Sequence, residues 1–155
     1  MDLQINPPEG LEVFDVSGQN VIELWSKVKD KEILFSDLNK GSFFLFARAL
    51  MDSIIFQNKY GIIRIAKIVP FHRCELHGFV LGTSLSRFKD TMKDVILWIF
   101  DNLQVSRIEC RVPDRALTLQ KFLVKIGFEK EGVLRNRLMI GGSPEDEIVY
   151  SIIRR

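Results

Sequence analysis

From Ser106 to Arg154 the hydrophobic period changes in an order that few folds accept. Arg107 to Val112 alternates, with Ile108, Cys110 and Val112 on one side and Arg107, Glu109 and Arg111 on the other, which predicts a strand. Pro113 and Asp114 stop it. Ala116, Leu119, Phe122, Leu123 and Ile126 then recur at helical spacing, and Gly127 stands where a helix C-cap needs a residue at positive φ. Strand pattern resumes at Phe128. Gly141-Gly142-Ser143-Pro144 reads as a turn, and Ile148, Tyr150 and Ile152 alternate in a last strand. A strand–helix–strand run implies a right-handed crossover, so the sheet is expected to have a largely parallel centre.

The upstream half supplies the remaining elements. Leu11 to Val16 reads as a short first strand. Val21, Ile22, Trp25 and Val28 mark a helix that closes in charge at Lys29 to Lys31. Phe43, Phe46, Ala47, Leu50 and Ile54 mark a second helix, with Ser42 or Asp37 as its start. Ser53 to Gln57 and Ile62 to Val69 flank the turn Asn58-Lys59-Tyr60-Gly61 and form a hairpin that Pro70 ends. Cys74 to Leu81 is the next strand, Gly82-Thr83-Ser84 breaks it, and Lys89 to Leu103 is a strong amphipathic helix. The expected order is β-α-α-β-β-β-α-β-α-β-β. The fold class is therefore α/β (α+β): one domain over residues 1–155, with a mixed sheet of about six to seven strands flanked by helices.

Composition narrows the function classes. A net charge of +2, with no run of five or six basic residues, argues against nucleic-acid or membrane-surface binding. Two cysteines, Cys74 and Cys110, make no disulfide framework, and two histidines, His72 and His77, fit no zinc spacing. No metal site is expected. Cys110 alternates with the apolar face and reads as buried, while Cys74 at a strand start reads as open to solvent. The start of the chain lacks a basic, apolar leader and Val95 to Phe100 is too short to span a bilayer, so a cytoplasmic protein is expected. Among 12 phenylalanines, Phe43, Phe44 and Phe46 cannot share one helical stripe, so one of them is expected to face an acceptor pocket or a partner. A monomer or a homodimer is expected.

The run Arg107 to Pro113, the helix end Lys125-Ile126-Gly127-Phe128, the phrase Glu131-Gly132-Val133-Leu134-Arg135, and then Asp146 and Tyr150-Ser151 resemble the C-terminal half of a GNAT N-acetyltransferase. They are most similar to the branch of ribosomal-protein and protein N-terminal acetyltransferases. Ile63 to His77 also resembles small GNAT-like proteins carried by bacteriophages. The resemblance covers Ile54 to Arg154 and is specific from Arg107 onward.

The resemblance implies acetyl transfer from acetyl-CoA, as co-substrate, to an amine of a protein or small molecule. It implies a phosphate-holding loop at Thr83 to Lys89, so the implied cofactor-binding residues are Val80, Leu81, Ser84, Ser86, Arg87, Phe88 and Lys89. The family's two small loop residues fall on Ser86 and Phe88, where glycine would let backbone approach phosphate. The Phe88 ring either enters the site or anchors the core, and Arg87 and Lys89 either contact phosphates or are solvated. The family's cofactor-contacting Asn falls on Ala116 and its Tyr acid on Leu123. Glu75 and His77, two apart on the fourth strand, share a face. They are the catalytic candidates as general base, against the alternative of a structural pair. Glu109 either approaches the cofactor or pairs with a neighbouring arginine. Tyr150 either lines the acceptor side or packs, and Asp146 sets the entry to its strand. The alternative function is a GNAT-fold binding or assembly protein, without catalysis and of phage derivation.

Overall fold

The computed structural model describes residues 4–30, 42–80 and 85–155. Its elements run β1 (Glu12–Val13), α1 (Gly18–Val28), α2 (Phe43–Met51), β2 (Ile54–Asn58), β3 (Gly61–Val69), β4 (Arg73–Val80), α3 (Leu85–Asn102), β5 (Arg107–Pro113), α4 (Leu117–Lys125), β6 (Glu129–Ile140) and β7 (Ser143–Ile153). This is the order expected from the sequence. The strands form a mixed seven-stranded sheet in the order β1-β2-β3-β4-β5-β7-β6. The pairs β1–β2, β2–β3, β3–β4 and β6–β7 are antiparallel, so antiparallel pairing outweighs the parallel centre that the crossover pattern predicted. The predicted β2–β3 hairpin and the terminal turn at Gly141–Pro144 supply two of these pairs.

The chain divides into two compact units. One unit takes Met1–Phe14, Ser53–Ile108 and Ile153–Arg155. Its centre is the β2–β3–β4 meander, in which Phe56, Ile63, Ile65 and Leu76 are fully buried. Helix α3 buries Phe88, Met92, Val95, Ile96 and Ile99 as one stripe. It begins at Leu85, four residues before the Lys89 start read from the sequence. Residues 85–88 contain no glycine or proline to stop a helix, and Phe88 extends the apolar stripe by a turn. Trp98 of α3 packs edge-on against Phe56, with ring centroids 4.9 Å apart, and its Nε1 donates to the Asn6 carbonyl at 2.7 Å.

The other unit takes Asp15–Asp52 and Glu109–Ile152. Ser42 is the cap of α2, its hydroxyl accepting the Leu45 N–H at 3.3 Å; the alternative start, Asp37, lies outside the described residues. Trp25 of α1 meets Phe43 and Phe46 of α2. Phe46 is buried while Phe43 and Phe44 are exposed, as three nearby phenylalanines on one helix require. In the first unit, strand β1 is shorter than the Leu11–Val16 run suggested, although Leu11 and Phe14 at its flanks are buried.

Helix α4 ends in a Schellman motif. The Phe128 N–H donates to the Leu123 carbonyl at 3.0 Å and the Gly127 N–H to the Val124 carbonyl at 3.1 Å. Gly127 has φ +104, and a Cβ there would lie 3.3 Å from Ile152 Cδ1. Asp146 does not stand at the entry to β7, which starts earlier at Ser143; its Oδ1 accepts the Asn136 N–H at 2.8 Å across a bulge in β6 where Asn136 has φ 52. Gly127→Ala is expected to destabilise the fold by about 1–2 kcal/mol, because the added Cβ opposes positive φ. A urea-denaturation midpoint lower than that of the unsubstituted chain, with unchanged slope, would record it.

Candidate functional site on β4 and the start of α3

Strand β4 separates apolar from polar chemistry by simple alternation. Cys74, Leu76 and Gly78 lie on one face. A methyl group placed on Gly78 would lie 3.4 Å from Phe88 Cε1 and 3.9 Å from Met92 Sδ, so this face meets α3. Glu75 and His77 lie on the other face. The β3–β4 register sets Ala66 opposite Glu75 and Arg64 opposite His77, which brings Arg64 to the same face as both.

The polar face is a charge cluster. Lys67 Nζ lies 2.9 Å from Glu75 Oε1, and His77 Nε2 lies 3.4 Å from Glu75 Oε2. Lys67 sits at a bulge with φ 47, which lets its exposed side chain bend back to Glu75. His77 Nε2 is buried and its approach to Glu75 falls short of hydrogen-bond geometry, so that atom has no hydrogen-bond partner among the described residues. Burial pushes the Glu75 carboxyl upward, but His77 and Lys67 outweigh it and hold the group at about 2. Burial pushes His77 below its ordinary value; Glu75 opposes the shift, while Arg64 and Lys67 reinforce it. At neutral pH the cluster is therefore a charged carboxylate beside a neutral imidazole, and a neutral imidazole keeps one nitrogen able to accept a proton.

The implied phosphate loop is divided by the structure. Val80 closes β4 opposite Gly61 and is half-buried. Leu81 and Ser84 lie outside the described residues. Ser86 and Arg87 are exposed in the first turn of α3, and Lys89 is half-buried. That turn holds no acidic residue, and the first N–H groups of any helix lack intrahelical partners. This end suits an anion. The Phe88 side chain is 1 % exposed, so its ring is a core anchor against β4 and is turned away from the solvent side of the helix.

Other sequence candidates find plain structural roles. Glu109 is buried and its Oε1 takes the Arg111 Nε–H at 2.7 Å. Leu123 is core, and Ala116 is a buried N-cap with no side-chain cap. Tyr150 is buried, its hydroxyl donating to Gln120 Oε1 at 3.0 Å, while Gln120 Nε2 donates to the Asp114 carbonyl. Cys74, expected at the surface, is 1 % exposed on the α3 face of β4, and burial pushes its thiol up to about 12. Alternation counted from Leu76 would have placed it there. Arg64 was passed over in sequence, although a lone arginine between Ile63 and Ile65 signalled a polar spot on an apolar strand. Lys59 and Tyr60 lie in the β2–β3 turn that the sequence predicts.

No family model matches the chain. In sequence it is 37% identical over 65 residues to an uncharacterised N-acetyltransferase, YoaA, of Bacillus subtilis, a match covering 42% of this chain and 37% of that protein. It is 36% identical over 64 residues to a probable N-acetyltransferase, YjcK, of the same organism, covering 41% of this chain and 35% of that one. The chain thus spans little more than a third of the length of these curated relatives. In structure it is similar to a GNAT-family acetyltransferase from Bacillus anthracis, with TM-score 0.72, 14% identity, and 94% of this chain and 96% of that one covered. The chain has the fold of the GNAT acetyltransferases. The spermidine N-acetyltransferase of Vibrio cholerae, solved with CoA and spermine, gives TM-score 0.76 at 14% identity over 93% of this chain and 95% of that one. The ribosomal-protein-S5-alanine acetyltransferase of Vibrio fischeri gives 0.73 at 19% identity over 94% and 93%.

Two outcomes test this geometry. Phe88→Ala is expected to cost about 3–5 kcal/mol of stability in chemical denaturation, as for a buried aromatic side chain removed from a core. Glu75 has a folded value of about 2 against an ordinary 4.5, so it stabilises the fold above pH 4.5, and that contribution is lost as pH falls from 4.5 toward 2. Glu75→Gln is expected to flatten this part of the stability–pH curve, measured by urea titration at stepped pH.

Proposed function

We propose that this chain is an acetyl-CoA-dependent N-acetyltransferase acting on an amine of a protein or small molecule. The observation that carries the reading is the GNAT fold across more than nine-tenths of the chain, with a neutral His77 on β4, the strand where the resemblance puts the base. The short stretch of similarity to bacterial N-acetyltransferases and the CoA-bound structural neighbour support it.

The residues present fit the donor. Ser86, Arg87 and Lys89, with the backbone N–H groups that open α3, offer hydrogen bonds and positive charge to its phosphates. Acetyl-CoA supplies a thioester carbonyl as the electrophile. The chain's own work is proton management. His77 takes a proton from the attacking amine, directly or through water, because its imidazole is neutral at working pH. Glu75, ionised throughout, stabilises the imidazolium once formed and holds the ring beside it; it is a positioning residue, since a carboxyl held near 2 is a poor base. Leu123 stands where the family's acid tyrosine is implied, and the Tyr150 hydroxyl is committed to Gln120, so protonation of the thiolate falls to the His77 imidazolium or to water.

A second reading, a GNAT-fold binding protein without turnover, draws on the apolar Ala116 and Leu123 at two implied donor and acid positions. Release of free CoA from acetyl-CoA separates the two, with spermidine and an alanine-terminated peptide as acceptors. Release above the protein-free rate with either acceptor supports catalysis, and none with both favours binding alone. His77→Ala is expected to lower kcat by about 10²-fold or more. The rate is expected to fall as pH drops below the ordinary histidine value, since protonated His77 cannot accept a proton, and the variant should lose that acid limb. Full turnover in His77→Ala would remove the histidine from the mechanism.

A further inference from the structure

The β2–β3 turn holds a group that the acetyl-transfer reading has not used. Asn58 Oδ1 accepts the Tyr60 N–H at 2.9 Å and the Gly61 N–H at 3.2 Å, which locks the turn. Asn58 Nδ2 reaches Thr91 Oγ1 of α3 at 3.4 Å and ties the turn to the helix. Thr91 lies one helical turn beyond Arg87, so both share a face of α3. The tie therefore sets Tyr60 beside Arg87, whose Cζ lies 5.9 Å from the Tyr60 ring centroid, and Lys59 Nζ lies 5.0 Å from the same centroid. Two cations share one aromatic ring at the end of β3 that pairs with the end of β4, since Gly61 stands opposite Val80.

We infer that Lys59, Tyr60 and Arg87 form a side-chain phosphate site that takes the phosphate groups of a nucleotide-bearing ligand. On the reading above that ligand is coenzyme A, and the inference rests on that reading for the ligand's identity alone. A multiply charged anion placed beside the ring can take charge-assisted hydrogen bonds from both cations at once. The Tyr60 phenol is held below its ordinary value by Arg87 first and Lys59 second, so both cations bear on its oxygen. A concavity of about 430 Å³ lies against the turn, lined by Gly10, Glu12, Gln57, Asn58, Lys59 and Tyr60, with Glu12 its acidic member. The chemistry also answers a deficit of the implied loop. Where Ser86 and Phe88 replace small residues that would let backbone reach the phosphates, side chains from the turn and from α3 supply the contacts instead.

Calorimetric titration tests the site with inorganic pyrophosphate and adenosine 3′,5′-bisphosphate at low salt. The chain is expected to bind at least one of them. Lys59→Gln and Arg87→Gln should each weaken that binding about tenfold, and added salt should weaken it more in the unsubstituted chain than in either variant. Binding of neither probe, or equal binding by both variants, overturns the inference. Comparing CoA with 3′-dephospho-CoA identifies the phosphate held: loss of the variants' effect with the dephospho compound points to the 3′-phosphate, and its persistence to the diphosphate. A chain that binds pyrophosphate through Lys59 and Arg87 but does not bind acetyl-CoA keeps the phosphate site and loses the acetyl-transfer reading.

Discussion

The seating of Phe88 against Gly78 fixes the position of everything that gives the first unit its chemistry. The start of α3 packs on β4 at Gly78, and the buried Phe88 ring fills the space between them. Once that ring points inward, helix geometry turns Ser86 and Arg87 outward. A buried aromatic thereby determines where two exposed polar side chains stand. The same packing lets α3 run from Leu85, so its unpaired N–H groups open beside the end of β4 rather than a turn later.

The opposite face of β4 obeys a second constraint, that charge leaving water must find a partner. Arg64, Glu75 and His77 meet there because antiparallel register sets them across from or beside one another. Glu75 resolves the cluster by staying ionised between Lys67 and His77, and His77 by staying neutral. Both groups are thus without their proton at neutral pH, one charged and one neutral.

Much of the fold was legible because its signals are local. Alternation at Arg107 to Val112, the Gly127 cap and the Asn58–Gly61 turn each depend on a few neighbouring residues, and each appears where the sequence placed it. What failed depended on distant packing. The start of α3 was missed although Phe88 continues the apolar stripe, because its burial rests on packing against β4 at Gly78. Cys74 was misplaced because its position at a strand start outweighed the alternation that buries it. The candidate site was half legible. Spacing alone put Glu75 and His77 on one face, but their protonation states follow from burial first and from the charges that share that face, Lys67 and Arg64 of the neighbouring strand among them. Lys59 and Tyr60 carry no pattern in sequence and gain meaning only beside Arg87.

On the proposed reading, the GNAT fold, His77 on β4 and the cationic start of α3 serve one acetyl-CoA-dependent reaction. Its most direct test is thermal unfolding with and without millimolar acetyl-CoA. A ligand that binds the folded state alone must stabilise it, by about 2.7 kcal/mol at a hundredfold excess over Kd. The melting temperature is expected to rise with acetyl-CoA concentration; an unchanged melting temperature across that range would contradict the acetyl-CoA reading.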